Sequence, residues 1–250
     1  MIYEYAKWTD AGQHPVNQDS CICIVSEDKK ILFAAVADGM GGIQGGKRAS
    51  SVIADEITEW FNDTPRDMFD RENPIDELTD AWEVLIEHIN MQLLEDDIAG
   101  GSTLTMLMLF HNIYVAANIG DSRIYQYDGA ERNLYQLTKD HSWIQEQLDA
   151  GVNPAIIEAN TYLKNRITRC LGVSREFSRA DYYAGKIKEG DKFLICSDGL
   201  RHTVRVSEFI EMLQAETDIR DTARNMVIKA KENGEKDNIT AVVISIQKDG

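Results

Sequence analysis

Long apolar runs are missing from this 250-residue sequence: none approaches the roughly 20 residues that a membrane-spanning helix requires, so no such span is expected. The opening MIYEYAKWTDAG lacks a basic start followed by an apolar stretch, so no secretory signal is expected and the expected compartment is the cytoplasm. Cysteine is scarce, at four residues. Cys21 and Cys23 form C-x-C without a second pair at zinc-ligand spacing, and Cys170 and Cys196 stand alone in apolar surroundings. All four read as reduced core residues, not as a disulfide framework or a zinc site. Basic charge is also short, with 26 Lys and Arg against 42 acids and a net charge of −16, so nucleic acid and anionic membranes are poor partners.

What is present suits one domain spanning 1–250. Hydrophobic residues make up 43% and charged residues 27%, which excludes a disordered or low-complexity chain. Short apolar or alternating runs predict strands near 20–26, 30–37, 103–110, 113–118, 122–127, 133–137, 178–184, 192–197 and 239–246. Long amphipathic helices are predicted over 44–61 and 75–95, the second on the stripe Leu78, Trp82, Leu85, Ile86 and Ile89, with shorter ones near 142–150, 206–215 and 219–232. The runs between 103 and 127 are broken only by HN and GDS, which is hairpin spacing and too short for helical crossovers. The expected class is therefore α+β with mainly antiparallel sheets. The least regular segment, 151–177, reads as a surface flap beside a site.

The chemistry lies in acids that share a context. In ILFAAVADGMGG, the apolar run Ile31 to Ala37 ends in Asp38 and then in glycine, and FLICSDGL repeats that design at Asp198. One such end is an ordinary turn. Asp121 follows another apolar run, Asp237 immediately precedes one, and Asp19 precedes CICIV. If these ends lie together, the carboxylates cannot all stay ionised without compensation. Mg²⁺ and Mn²⁺ prefer such oxygen ligands, and glycine after Asp38 lets the backbone come close enough for its carbonyl to join them. No His adjoins these acids in the sequence, which disfavours zinc. Paired ions of this kind hydrolyse phosphate esters.

TDAGQHPVNQDS, VADGMGG, GSTLTMLML, VAANIGDSRIY, LTKDHSW, ITRCLG, FLICSDGL and KDNITAVVI stand in the order and approximate spacing seen in the protein phosphatase 2C family, the metal-dependent protein Ser/Thr phosphatases. From about residue 5 to 246 the chain resembles that family, most closely its compact bacterial members. The resemblance implies a four-layer αββα sandwich of two mainly antiparallel sheets flanked by helices. It implies hydrolysis of phosphoserine and phosphothreonine in proteins at a binuclear Mn²⁺ or Mg²⁺ centre. Asp38 would bridge both ions and hold the attacking metal-bound water, the Gly39 carbonyl would complete one ion, and Asp198 and Asp237 would ligate the other. Asp19 would hold metal-bound waters, and Asp121 with Asp198 would hold a weaker third ion. Phosphorylated proteins and a cognate Ser/Thr kinase are the implied partners, and a monomer the implied state.

Some residues depart from the family pattern. His14 stands where the family usually has a phosphate-binding Arg, and a neutral imidazole is a poorer phosphate partner than a bidentate guanidinium. His14 remains a candidate phosphate contact. Met40 stands where eukaryotic members often carry a His proposed as the leaving-group acid, and a thioether cannot donate a proton. Gln18 replaces a frequent Glu. His141 reads as structural, Trp60 and Trp82 as helix-core anchors, and Glu95, Asp96 and Asp97 as a solvated helix end. No chemistry is assigned to His88, His111 or His202. Two rival functions are weighed. A catalytically silent phosphoprotein adaptor is opposed by the intact Asp38, Asp198 and Asp237. A nucleotide-binding loop at Gly41 to Arg48, GGIQGGKR, fits G-x-x-x-x-G-K but puts Arg48 where Ser or Thr is needed.

Overall fold

The computed structural model describes residues 1–96, 100–163, 165–176 and 178–247. The strands of its first half are β1 (Ile2–Asp10), β2 (Ser20–Val25), β3 (Ile31–Ala37), β4 (Gly39–Gly41), β5 (Gly100–Ser102) and β6 (Leu104–Phe110). Those of the second half are β7 (Ile113–Ile119), β8 (Arg123–Asp128), β9 (Asn133–Gln136), β10 (Asp181–Lys186), β11 (Lys192–Cys196) and β12 (Ile239–Gln247). The helices are α1 (Ile43–Asp63), α2 (Pro74–Glu95), α3 (Trp143–Asp149), α4 (Pro154–Ala159), α5 (Asp198–Arg201), α6 (Val206–Gln214) and α7 (Ile219–Glu232).

Two antiparallel five-stranded sheets form, in the orders β1-β12-β11-β8-β9 and β10-β7-β6-β3-β2, and the short β4 and β5 pair with each other. Three apolar clusters mark the boundaries of four layers. Phe33, Ala35 and Met106 of the second sheet pack on Ile53 and Ile57 of α1 and Trp82 and Ile89 of α2. Leu32, Ala34 and Val36 face Ile195, Val242 and Ile244 between the sheets. Leu194, Ala241 and Val243 meet Phe209 of α6 and Met226 of α7 on the far side. Both faces of β3 are therefore covered, which is why Ile31 to Ala37 is apolar without alternation. Trp60 and Trp82 both lie against Phe33, with ring centroids 5.7 and 5.9 Å away, so the two tryptophans are core anchors as expected.

The register brings the acid-bearing ends to one end of the sandwich. Ser20 pairs with Ala37, Val36 with Thr105, and Leu104 with Ile119 in one sheet. In the other, Cys196 pairs with both Arg123 and Ala241.

The structure differs from the expectations at four places. The HN break is a hairpin between β6 and β7, but Gly120 to Ser122 carries the chain from one sheet into the other, so GDS is a crossing and not a hairpin. β1 was not expected: it is an edge strand in which only Tyr3 and Ala6 are buried, so its sequence carries no clean alternation. The pairing of β4 with β5 was not expected either, because GMG and GGS have little β-propensity, and the strand expected at 178–184 begins later, at Asp181. The irregular segment 151–177 contains α4; Lys164 and Phe177 within it, and Asp97 of the expected solvated helix end, lie outside the described residues.

Candidate metal centre

Asp38 sits just beyond β3, and its backbone is held on both sides by the turn into β6. Its N–H donates to Thr103 Oγ1 at 3.0 Å, while its carbonyl accepts from Thr103 N at 2.9 Å and Ser102 Oγ at 3.0 Å. The side chain is left for other work. At Gly39 a Cβ would lie 2.2 Å from the Gly46 carbonyl oxygen and 2.7 Å from that of Gln18, so only glycine permits this approach of α1 to the β3 tip.

Asp19, Asp121, Asp198 and Asp237 all lie close enough to raise the Asp38 carboxyl well above the ordinary carboxylate range, an effect led by burial. Asp19 lies just before β2, buried, with its Oδ2 accepting from Ser197 Oγ at 2.8 Å and Thr240 Oγ1 at 2.6 Å. One oxygen of this acid is thus bound to the opposite sheet. Its Oδ1 has no hydrogen-bond partner among the described residues. Burial pushes Asp19 up to about 6, with Asp237 adding repulsion. Asp198 opens α5 at the tip of β11 and is likewise raised, by burial first and then by Asp237 and Asp19.

Asp237, half-exposed, stands just before β12 beneath the loop that follows β1. That loop is tied down by Asn238, whose Nδ2 donates to the Ala11 carbonyl at 3.0 Å and whose Oδ1 accepts from Gln18 N at 2.7 Å. Gly12, at φ +61°, passes so closely over Asp237 that a Cβ would lie 2.0 Å from its carbonyl oxygen. His14, carried by the same loop, brings Nε2 to 3.3 Å from Asp237 Oδ1. His202 brings Nε2 to 3.6 Å from Asp198 Oδ2. The fold therefore corrects the expectation that no imidazole adjoins these acids: two do, and neither is adjacent in sequence to the acid it meets.

Sequence reasoning also missed Arg201, Ser197, Thr240 and Asn238, and considered Lys47 only as part of the rival nucleotide-binding loop. Arg201 Nη2 lies 2.7 Å from Asp121 Oδ2. The spacing of Asp198 and Arg201, three apart at a strand tip, was the available signal. Lys47 lies within α1, with Nζ 3.2 Å from the Asp19 carbonyl oxygen and 3.3 Å from Ser20 Oγ. It is engaged with β2 and not with a phosphate cradle. His141 is buried, accepts from Gly120 N at 3.1 Å and pairs with Asp181 at 3.0 Å, bracing the crossing that carries Asp121.

Among the described residues, no three His, Cys, Asp or Glu side chains close into a compact ligand cluster. The carboxylates stand apart around Asp38, as like charges do. They nevertheless fit hard divalent ions: the donors are carboxylate oxygens, the buried acids are raised by burial and then by mutual repulsion, and Asp19 Oδ1 is buried without a partner among the described residues.

Two antiparallel sheets between helices, with acids gathered at one end, define a metal-dependent hydrolase of phosphate esters. The protein phosphatase 2C family matches residues 11–242. The chain is 31% identical to protein phosphatase PhpP of Streptococcus pneumoniae, covering 98% of each. The S. agalactiae serine/threonine phosphatase structure superposes with a TM-score of 0.87 at 27% identity, over 98% of this chain and 100% of that one. The catalytic domain of the serine/threonine protein phosphatase PstP, crystallised with two manganese ions, matches with a TM-score of 0.77 at 28% identity over 99% of each chain. The chain belongs to the protein phosphatase 2C family, the metal-dependent protein serine/threonine phosphatases.

Proposed function

We propose that this chain hydrolyses phosphoserine and phosphothreonine in proteins with two Mn²⁺ or Mg²⁺ ions held by Asp38, the Gly39 carbonyl, Asp198 and Asp237. The observation that carries this reading is the Asp38 carboxylate, braced through its backbone and surrounded by four acids that repel it. When bound, ions of this class make water nucleophilic near neutral pH and neutralise the phosphoryl oxygens. The chain supplies the frame for that chemistry. Asp38 fixes the centre at the tip of a strand covered on both faces. Asp19, anchored through Ser197 and Thr240, keeps its free oxygen beside that centre and orients water there.

His14 lies at the rim, half-exposed beside Asp237, in a position to receive the substrate phosphate. Met40 carries no proton to give, while His14 and His202 place imidazoles at the site. Leu171, in segment 151–177, bridges to Ser102 beside β4, which favours a role for that segment in substrate access. Phosphorylated proteins are the substrates, made by a Ser/Thr kinase. The four free thiols suit a reducing compartment such as the cytoplasm, and no helix among the described residues is long and apolar enough to cross a membrane.

The deciding experiment is hydrolysis of p-nitrophenyl phosphate with Mn²⁺. Turnover is expected, abolished by chelator and reduced at least about 100-fold in Asp38→Asn, on the scale of losing a main electrostatic contributor. A folded protein that binds phosphopeptide without turning it over would instead be the silent adaptor.

A further inference from the structure

The family resemblance places a weaker third ion between Asp121 and Asp198, but this chain puts a guanidinium there. Arg201 closes α5, three residues after Asp198, so both side chains rise from one turn. Its Nη2 lies 2.7 Å from Asp121 Oδ2, and its Nε donates to the Asp121 carbonyl at 3.2 Å. The same Nη2 is 3.9 Å from Asp140 Oδ2. Asp140 is in turn held by Arg123 through two contacts of 2.7 Å. The Arg201 side chain is only 15% exposed, and those of Asp121 and Asp140 are each 7% exposed. The cation is thus fixed between two enclosed carboxylates, in a row that alternates Arg123, Asp140, Arg201 and Asp121.

We infer that Arg201 is a built-in cation that takes the place of the third metal ion, so that this phosphatase binds two ions where its relatives' pattern provides for three. A guanidinium stays charged at every pH a protein tolerates. With Asp121 answered by Arg201, two divalent ions balance the charge of Asp19, Asp38, Asp198 and Asp237. A third would bring a double positive charge onto a carboxylate that already holds a single one. Asp121 Oδ1 has no hydrogen-bond partner among the described residues, so an acceptor for an ion does exist. What opposes the ion there is the charge of Arg201, bonded to the other oxygen of the same carboxylate. Removing that charge uncovers the site.

This inference rests on the two-ion reading above, and counting ions separates the two. Mn²⁺ binding would be measured by titration calorimetry, with free Mn²⁺ followed by electron paramagnetic resonance, on the wild type, Arg201→Ser, Arg201→Lys and Asp121→Asn. The expected numbers are two for the wild type, three for Arg201→Ser with the added site weaker, and two for Arg201→Lys. Asp121→Asn, which keeps Arg201 and removes the third-site acid, is expected to stay at two. If Arg201→Ser fails to fold, Arg201→Gln, which removes the charge and keeps a polar side chain of similar reach, takes its place with the same expected count of three. Three ions in the wild type falling to two in Asp121→Asn would overturn the inference, as would a folded Arg201→Ser that stays at two. A wild type that binds no Mn²⁺ overturns the two-ion reading and this inference together.

Discussion

Single residues at this site owe their roles to partners far away in sequence. His14 meets Asp237, Arg201 meets Asp121, and Asp19 is held by Ser197 and Thr240. Asp38 and Asp198 were legible because each ends an apolar run. Arg201 and His202 were not, because what places them at the site is the fold that brings Asp121 and Asp198 to them. His14 is the residue whose substitution is most informative. An imidazole forms one hydrogen bond to phosphate, whereas a guanidinium forms two and keeps its charge. His14→Arg is therefore expected to lower KM for a phosphopeptide about 10-fold, the worth of one added charge-assisted hydrogen bond, with kcat little changed. Steady-state kinetics on one phosphothreonine peptide would check this, and an unchanged KM would remove His14 from the phosphate site.

At the scale of elements, β3 and α2 carry the most weight. β3 reads as a buried strand because both faces are covered, and α2 is legible from its stripe, of which Leu78, Trp82, Leu85, Ile86 and Ile89 are all buried. The short β4 and β5 and the edge strand β1 escaped notice, the former because backbone pairing without apolar side chains leaves no pattern. The crossing at Gly120 to Ser122 looked like a hairpin because loop length alone does not tell which sheet the next strand joins. Trp82 makes the packing testable. It is fully buried against Phe33, and its indole Nε1 has no hydrogen-bond partner among the described residues. Trp82→Ala is expected to cost about 3–5 kcal/mol. Trp82→Phe, which keeps most of the volume and removes an unsatisfied donor, is expected to cost less than about 1.5 kcal/mol. Urea unfolding of both variants would show whether the ring or the N–H matters.

For the whole molecule, the acids at one end are a source of instability that the metal-free protein must carry. Asp19 and Asp121 are pushed up to about 6, chiefly by burial. Their unfolded values lie near 3.9, so the folded chain holds their protons more tightly. The stability this gives is fully present below about pH 4 and is lost as pH rises through about 6. In chelator, the melting temperature is expected to fall across that window, and Mn²⁺ to raise it again at pH 7. An Asp19→Asn, Asp121→Asn double variant should show a flatter profile in chelator. A profile unchanged by the double substitution would mean that these acids do not govern it.

Asp19 and Asp237 lie far apart in the sequence, and the acids come from both sheets. A growing chain therefore carries its first acid long before the last one exists. Until β12 has settled between β1 and β11, Asp237 has no place beside the other acids. An unfinished or partly unfolded copy cannot assemble the constellation, so hydrolytic capacity is withheld from every form of the chain except the completed one.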